Sequence, residues 1–216
     1  MSRNREKDEA DKAKRRLLAM ESGFRLFSEK GIDSVKMSDI VADCGVSRQS
    51  LYRYFSTKTD LVIAIGTWKW REYISQYKAE VSFEESAQMT AAQHMRSYLD
   101  SFIDLFRHHR DILRYNYYFN SFLANVQAMP EQIQSYTDVV DDLKKSFHSL
   151  YEKGEKDGTL RTDLSESVMF SSSFHIMLAA VTRYAMGLAY VPEDDDLEKE
   201  LILLEEALLG KYIVQQ

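Results

Sequence analysis

Two prolines, Pro130 and Pro192, and eight glycines are all that punctuate a chain of 216 residues. Sheets need frequent turns, and turns draw heavily on those two residue types, so little here can frame a series of strands. Between the interruptions, apolar residues recur at steps of three and four, as in Ala13, Leu17, Met20, Phe24 and Phe27. That period is one face of a helix. Many segments are dominated by Ala, Leu, Glu, Lys and Met, which also favour helix. With 44% apolar residues, the expectation is an all-α protein with a substantial core and about nine helices.

The first helix is predicted over 11–30 and stops at Gly31. A short helix follows over 37–44, burying Met37, Ile40 and Val41. Gly45-Val46-Ser47 interrupts it, and a second short helix covers 48–54. Thr57 and Asp60 are spaced as a capping box opening a long helix to about Lys78. Further on, Ala92, Met95, Leu99, Phe102 and Phe106 mark a stripe, and an aromatic-rich segment runs from Tyr115 to Phe122. Pro130 introduces a helix carrying Ile133, Tyr136, Val140, Leu143, Phe147 and Leu150, ended by Gly154 and Gly158. Asp163 and Glu166 have capping-box spacing ahead of Phe170, Phe174, Met177, Val181, Tyr184 and Leu188. Pro192 and the acidic run 193–196 favour a helix start, with Leu197, Leu201, Leu204 and Leu208 on one face after it.

Two short helices joined by a glycine turn are the pattern of a helix-turn-helix. Gly45 suits the left-handed backbone of a sharp turn, and the Ser47 hydroxyl can accept a free N–H of the second helix. Leu51 and Phe55, with Val46, face inward. Arg48, Gln49, Tyr52 and Arg53 then project outward as two i,i+4 pairs. Arginine matches guanine O6/N7 and glutamine adenine N6/N7, while Ser50, Tyr54 and Lys58 offer hydroxyls and charge to flanking phosphates. The net charge of −6 conceals a division: residues 1–58 hold 13 basic and 9 acidic side chains (+4), against 15 and 25 in the remainder (−10). A cationic end facing phosphates beside an acidic, soluble body fits that asymmetry.

The stretch MSDIVADCGVSRQSLYRYFSTKTDL, preceded by FRLFSEKGIDS, resembles the N-terminal domain of TetR-family regulators over about residues 15–65. The resemblance implies a homodimer, recognition helices in successive major grooves of a pseudo-palindromic double-stranded operator, and an α-helical C-terminal domain that binds ligand and dimerises. Carried onto this sequence, Tyr52, Tyr54 and Lys58 match phosphate-contacting positions, and Arg48, Gln49 and Arg53 match base readers. Gln49 and Ser50 stand where many members have Gly and Thr. Lys36 replaces a frequent Thr cap, leaving that cap absent or supplied by Ser34, and Cys44 holds a position often filled by Ala, where a small buried residue is expected. The domains divide as 1–57 for DNA and 58–216 for ligand and dimer.

The larger domain carries the aromatic surplus. Trp68, Tyr98, Phe102, Tyr118, Phe147 and His175 are candidates to line a cavity for a small, largely apolar or aromatic effector, although His175 is first read as a core histidine. Leu197, Leu201, Leu204 and Leu208 are candidates for the dimer interface. No phosphate loop, nucleophile elbow or HExxH arrangement points to an enzyme, and no spacing calls for a metal or cofactor. No apolar run reaches the roughly 18–20 residues of a membrane span, and MSRNREKDEADKAKRR lacks the apolar centre of a secretory signal. The single Cys44 makes no internal disulfide, as expected of a reducing cytoplasm. A repressor released by its effector is the leading reading. The alternative is an activator or interaction protein of the same fold, answering a protein partner or acting on chromosome organisation.

Overall fold

A computed structural model describes residues 2–79, 83–188 and 194–214. Those residues form ten α-helices and no strand; Leu160 and Ile213 meet in one isolated antiparallel bridge. The helices are α1 (Ser2–Lys30), α2 (Met37–Cys44), α3 (Arg48–Tyr54), α4 (Lys58–Ala79), α5 (Phe83–Gln88), α6 (Ala91–His108), α7 (Arg110–Val126), α8 (Pro130–Asp157), α9 (Glu166–Ala185) and α10 (Asp194–Tyr212). They group into two compact units, Met1–Trp70 with Arg114–Thr137 and Arg71–Leu113 with Asp138–Gln216, so α4, α7 and α8 supply residues to both. No described helix is long and apolar enough to cross a membrane.

In the first unit α1, α2 and α3 pack on one another. The buried stripe of α1 begins later than the apolar pattern suggests: Ala19, Met20, Phe24, Leu26 and Phe27 are buried, while Leu17 is exposed. The helix itself begins earlier, because its charged first half is rich in good helix formers and needs no core to favour the conformation. Gly23 admits close approach of α4, since a Cβ there would meet the Ile65 side chain at 2.8 Å. Behind this packing, Phe24, Phe27, Tyr115 and Phe119 form a chain of ring contacts, and the buried Tyr115 hydroxyl donates to the Val62 carbonyl at 2.6 Å.

The second unit is built on mutual packing of α6, α9 and α10. Leu99, Ile103 and Phe106 of α6, Met177 and Val181 of α9 and Leu197, Leu201 and Leu208 of α10 are all buried in this unit. Three local expectations are revised. Gly154 does not end α8, which continues to Asp157; its missing side chain makes room for Leu160, 2.8 Å from where a Cβ would stand. The cap of α9 is Ser165, whose hydroxyl accepts the Val168 N–H at 3.3 Å, while Asp163 pairs with Arg161 at 2.7 Å. α5 is an additional helix, too short at six residues to show a period. Pro192 and Glu193 lie outside the described residues.

Glu205 is buried on α10. Its Oε1 has no hydrogen-bond partner and stands 3.5 Å from Arg96 Nη1, whose own side chain is largely exposed. Burial, reinforced by Asp100 and opposed by Arg96, pushes the carboxyl up to about 7 from 4.5. Between those values the unfolded chain loses the Glu205 proton while the folded chain keeps it. Stability therefore falls as pH rises through this window and levels off above it. Glu205→Gln should remove that slope and raise stability at pH 8 by about 1–3 kcal/mol. Urea unfolding at pH 5 and pH 8 checks this; a variant less stable than the parent at pH 8 contradicts it.

Candidate DNA-binding site

α2 ends where Gly45 turns left-handed (φ 67°) and its N–H donates to the Val41 carbonyl at 3.2 Å. Nothing lies within 4 Å of a Cβ placed there, so the glycine is required by backbone conformation alone. Ser47 then caps α3, accepting the Ser50 N–H at 3.2 Å. At the other end of α2, Lys36 contributes no side-chain cap; the Asp39 carboxylate instead accepts the Lys36 N–H at 2.8 Å. Ser22 and Arg25 on α1 both bind the Asp43 carboxylate, Ser22 at 2.6 Å. These bonds hold that carboxyl below the usual aspartate range.

Val46, Leu51 and Phe55 are buried, which turns the opposite face of α3 to solvent. Arg48, Gln49, Tyr52 and Arg53 are all exposed there, and Ser50 and Tyr54 are half-buried beside them. The two arginines are held by neighbouring rings: Arg48 lies 5.6 Å from the centre of Tyr52 and Arg53 5.4 Å from that of Tyr54. Arg53 also donates to the Tyr54 hydroxyl at 3.4 Å. Lys58, in the first turn of α4, is half-buried with its ammonium 5.9 Å from the Phe27 ring and 5.7 Å from Phe122. This burial lowers its pKa, against the pull of Asp33 and Asp39. The Thr57–Asp60 capping box is present, at 2.9 and 3.1 Å, and Cys44 is half-buried and free.

The six effector-site candidates divide between the two units. Tyr98, Phe102 and Phe147 share one aromatic cluster of the second unit with Phe170 and Phe174, which the sequence placed on a helix stripe without marking them for a ligand; ring centres are 5.4–5.9 Å apart. The Tyr98 hydroxyl is buried without a hydrogen-bond partner, and burial raises its pKa. His175 is exposed at the margin, its ring 5.8 Å from Phe174, and so is not a core histidine. Trp68 and Tyr118 belong to the first unit. On α10, Leu197, Leu201 and Leu208 are buried in their own unit and Leu204 is half-buried. A side chain already covered by its own chain has little surface left for a partner. The outward apolar positions are instead Leu203 on α10 and Val168 and Ile176 on α9.

A capped helix with a buried side and an exposed side of arginine, glutamine and tyrosine, set by a left-handed glycine turn, defines a helix-turn-helix DNA-binding protein. Residues 19–65 match the family described as bacterial regulatory proteins, tetR family. Over that stretch the chain is similar to TetR-family regulatory proteins. It is 21% identical over 211 residues (94% of this chain, all of the relative) to an uncharacterised HTH-type transcriptional regulator, YezE, of Bacillus subtilis. Its fold is similar to a transcriptional regulator of Saccharomonospora viridis in complex with choline (TM-score 0.73, 15% identity, 94% of this chain and 100% of that one). It is also similar to the regulator FadR of Bacillus subtilis in complex with stearoyl-CoA (TM-score 0.65, 16% identity, 90% and 95%).

Proposed function

We propose that this protein is a cytoplasmic, non-enzymatic repressor that binds a pseudo-palindromic operator as a homodimer and leaves it on binding a small, largely apolar effector. The observation that carries the DNA side of this reading is the exposed face of α3. Arg48, Gln49 and Arg53 have the donors and acceptors to read base edges in a major groove. Ser47, Ser50, Tyr52, Tyr54 and Lys58 ring them with groups suited to phosphates. The aromatic contacts of Arg48 and Arg53 restrict both side chains before DNA arrives, which lowers the entropy lost on binding.

The effector reading rests on the second unit. An aromatic cluster with one buried, unpartnered hydroxyl, that of Tyr98, suits an apolar molecule carrying a single polar group. Arg114 and Arg183 are exposed rather than buried, so neither is placed to receive an anionic ligand in an interior site. The two ligand-bound neighbours support an effector-responsive role without naming the effector. The dimer reading rests on α9 and α10, each with one apolar side in its own core and apolar residues on the other. Val168 (61% exposed), Ile176 (41%) and Leu203 (64%) suit a self-complementary helix-on-helix contact. The domain division 1–57 and 58–216 follows from these roles, the first part reading DNA and the second sensing and pairing. An effector that favours a dimer whose heads no longer match the half-site spacing shifts the population off DNA by its differential affinity.

Three outcomes are expected. Arg48→Ala and Gln49→Ala should each cost about 1–3 kcal/mol on the best site and relax base preference. Lys58→Ala should weaken all sequences alike and flatten the salt slope by about 0.9. Competition binding against random duplex measures both, and equal losses on specific and random DNA for all three variants would contradict the assignment of α3. Next, Leu203→Asp combined with Ile176→Asp should give folded monomers with much weaker operator binding; a double variant that sediments as a dimer places the contact elsewhere. Finally, a neutral steroid or a long-chain fatty acyl ester should raise the melting temperature, equivalent to about 2.7 kcal/mol at a hundred times its Kd. Tyr98→Phe should keep the fold and reduce that rise. Stabilisation by sugar phosphates alone counts against an apolar effector.

A further inference from the structure

Residues 7–18 of α1 form a stretch of helix that the described residues leave uncovered. From Lys7 to Leu18 every side chain is exposed, and burial begins only at Ala19 and Met20. A helix with no packed face gains nothing from the hydrophobic effect, and short charged helices are marginal in water. This one is kept as a continuation of the packed second half and is tied to the head at one point. The Arg16 guanidinium lies 5.0 Å from the centre of the Phe55 ring, and Phe55 is the C-cap of α3.

Charge is not spread evenly along this overhang. Asp8, Glu9 and Asp11 precede the turn from Lys12 to Arg16, which holds Lys12, Lys14, Arg15 and Arg16 and no acid. Lys12, Arg15 and Arg16 are spaced at three and four residues, so they share one side of the helix. Since Arg16 is placed against Phe55, that shared side is the one directed to the C-terminal end of the recognition helix. Lys12 pairs with Glu9, at 2.8 Å and with both side chains exposed. Such a pair is worth little and exchanges readily for a phosphate. Lys12 stands about 6 Å along the axis from Arg16 at 1.5 Å per residue, a reach comparable to the spacing of successive phosphates on one strand.

We infer that the Lys12–Arg16 turn of α1 is a second DNA-binding element, contacting backbone phosphates outside the base pairs that α3 reads and so lengthening the operator. Arg16 is its anchor, and Lys12 and Arg15 are the groups that reach the flanking strand. The contacts are with phosphate rather than base, so they add affinity and salt dependence without adding sequence preference. This rests on the reading of α3 as the recognition helix.

The test uses the full chain and the duplex that it selects from a random pool, made in two lengths. One length ends at the base pairs selected, and the other is extended by about one helical turn on each side. Lys12→Gln with Arg15→Gln keeps good helix formers and leaves Arg16 on Phe55. On the extended duplex the double variant should bind at least about tenfold more weakly and show a salt slope flatter by about 0.9 for each phosphate that it no longer neutralises. On the short duplex it should match the parent. Equal affinity of the parent for both lengths overturns the inference, as does an equal loss by the variant on both, which marks a damaged head. A double variant unchanged on both lengths overturns it too, and assigns the basic turn to some other partner. If the parent selects no sequence from the pool, the reading of α3 fails first, and this inference with it.

Discussion

Leu51 on α3 and Phe55 at its C-cap stand four residues apart, and both are buried with Val46 inside the first unit. A seven-residue helix has too few internal hydrogen bonds to hold itself in water, so this contact is what keeps α3 both formed and oriented. The orientation follows without further instruction. With Leu51 and Phe55 inward, Arg48, Gln49, Tyr52 and Arg53 have only solvent to face. The left-handed Gly45 and the Ser47 cap determine where the helix starts, and the bonds of Asp43 to Ser22 and Arg25 hold α2 on α1. In the proposed reading, recognition thus depends on apolar packing on the side of α3 turned away from DNA.

The head was legible in the sequence because several independent signals coincide within about ten residues: a glycine able to turn left-handed, a serine cap and an apolar pair at helical spacing. The bounds of α2 and α3 follow from them. The start of α1 was not legible, since the apolar stripe fades before the helix does and helix propensity carries the rest. Inside the larger part of the chain, periodicity shows that α10 has an apolar face without showing what covers it. The Leu197–Leu208 row turns out to be core, and Leu203, off the row, is the exposed leucine. The aromatic residues posed a similar difficulty. Trp68 and Tyr118 share their type with Tyr98 and Phe102, yet α4 and α7 contribute to two units, and composition does not say to which unit each ring goes.

The division of charge reads differently once the helices are in place. Much of the positive balance of residues 1–58 lies on two exposed elements, α3 and the Lys12–Arg16 turn of α1, whereas Arg25 is neutralised by Asp43 and Lys58 is partly withdrawn between rings. Exposed positive charge therefore gathers around the two ends of α3, where a phosphate backbone would pass under the proposed reading. The second unit follows another logic. Its buried acid Glu205 and its buried, unpartnered Tyr98 are both costs to stability, and under the proposed function a ligand bound at the aromatic cluster around Tyr98 would recover one of them.

The central claim is that α3 enters the major groove once in each half of a two-fold site. Methylation interference on the duplex selected by the full chain tests it most directly, because dimethyl sulphate modifies guanine N7 in the major groove and adenine N3 in the minor groove. Interference should fall at guanine N7 in two clusters whose centres are separated by about 10 base pairs or a related half-site spacing. Interference confined to adenine N3, or a single unpaired cluster of modified guanines, would contradict the account.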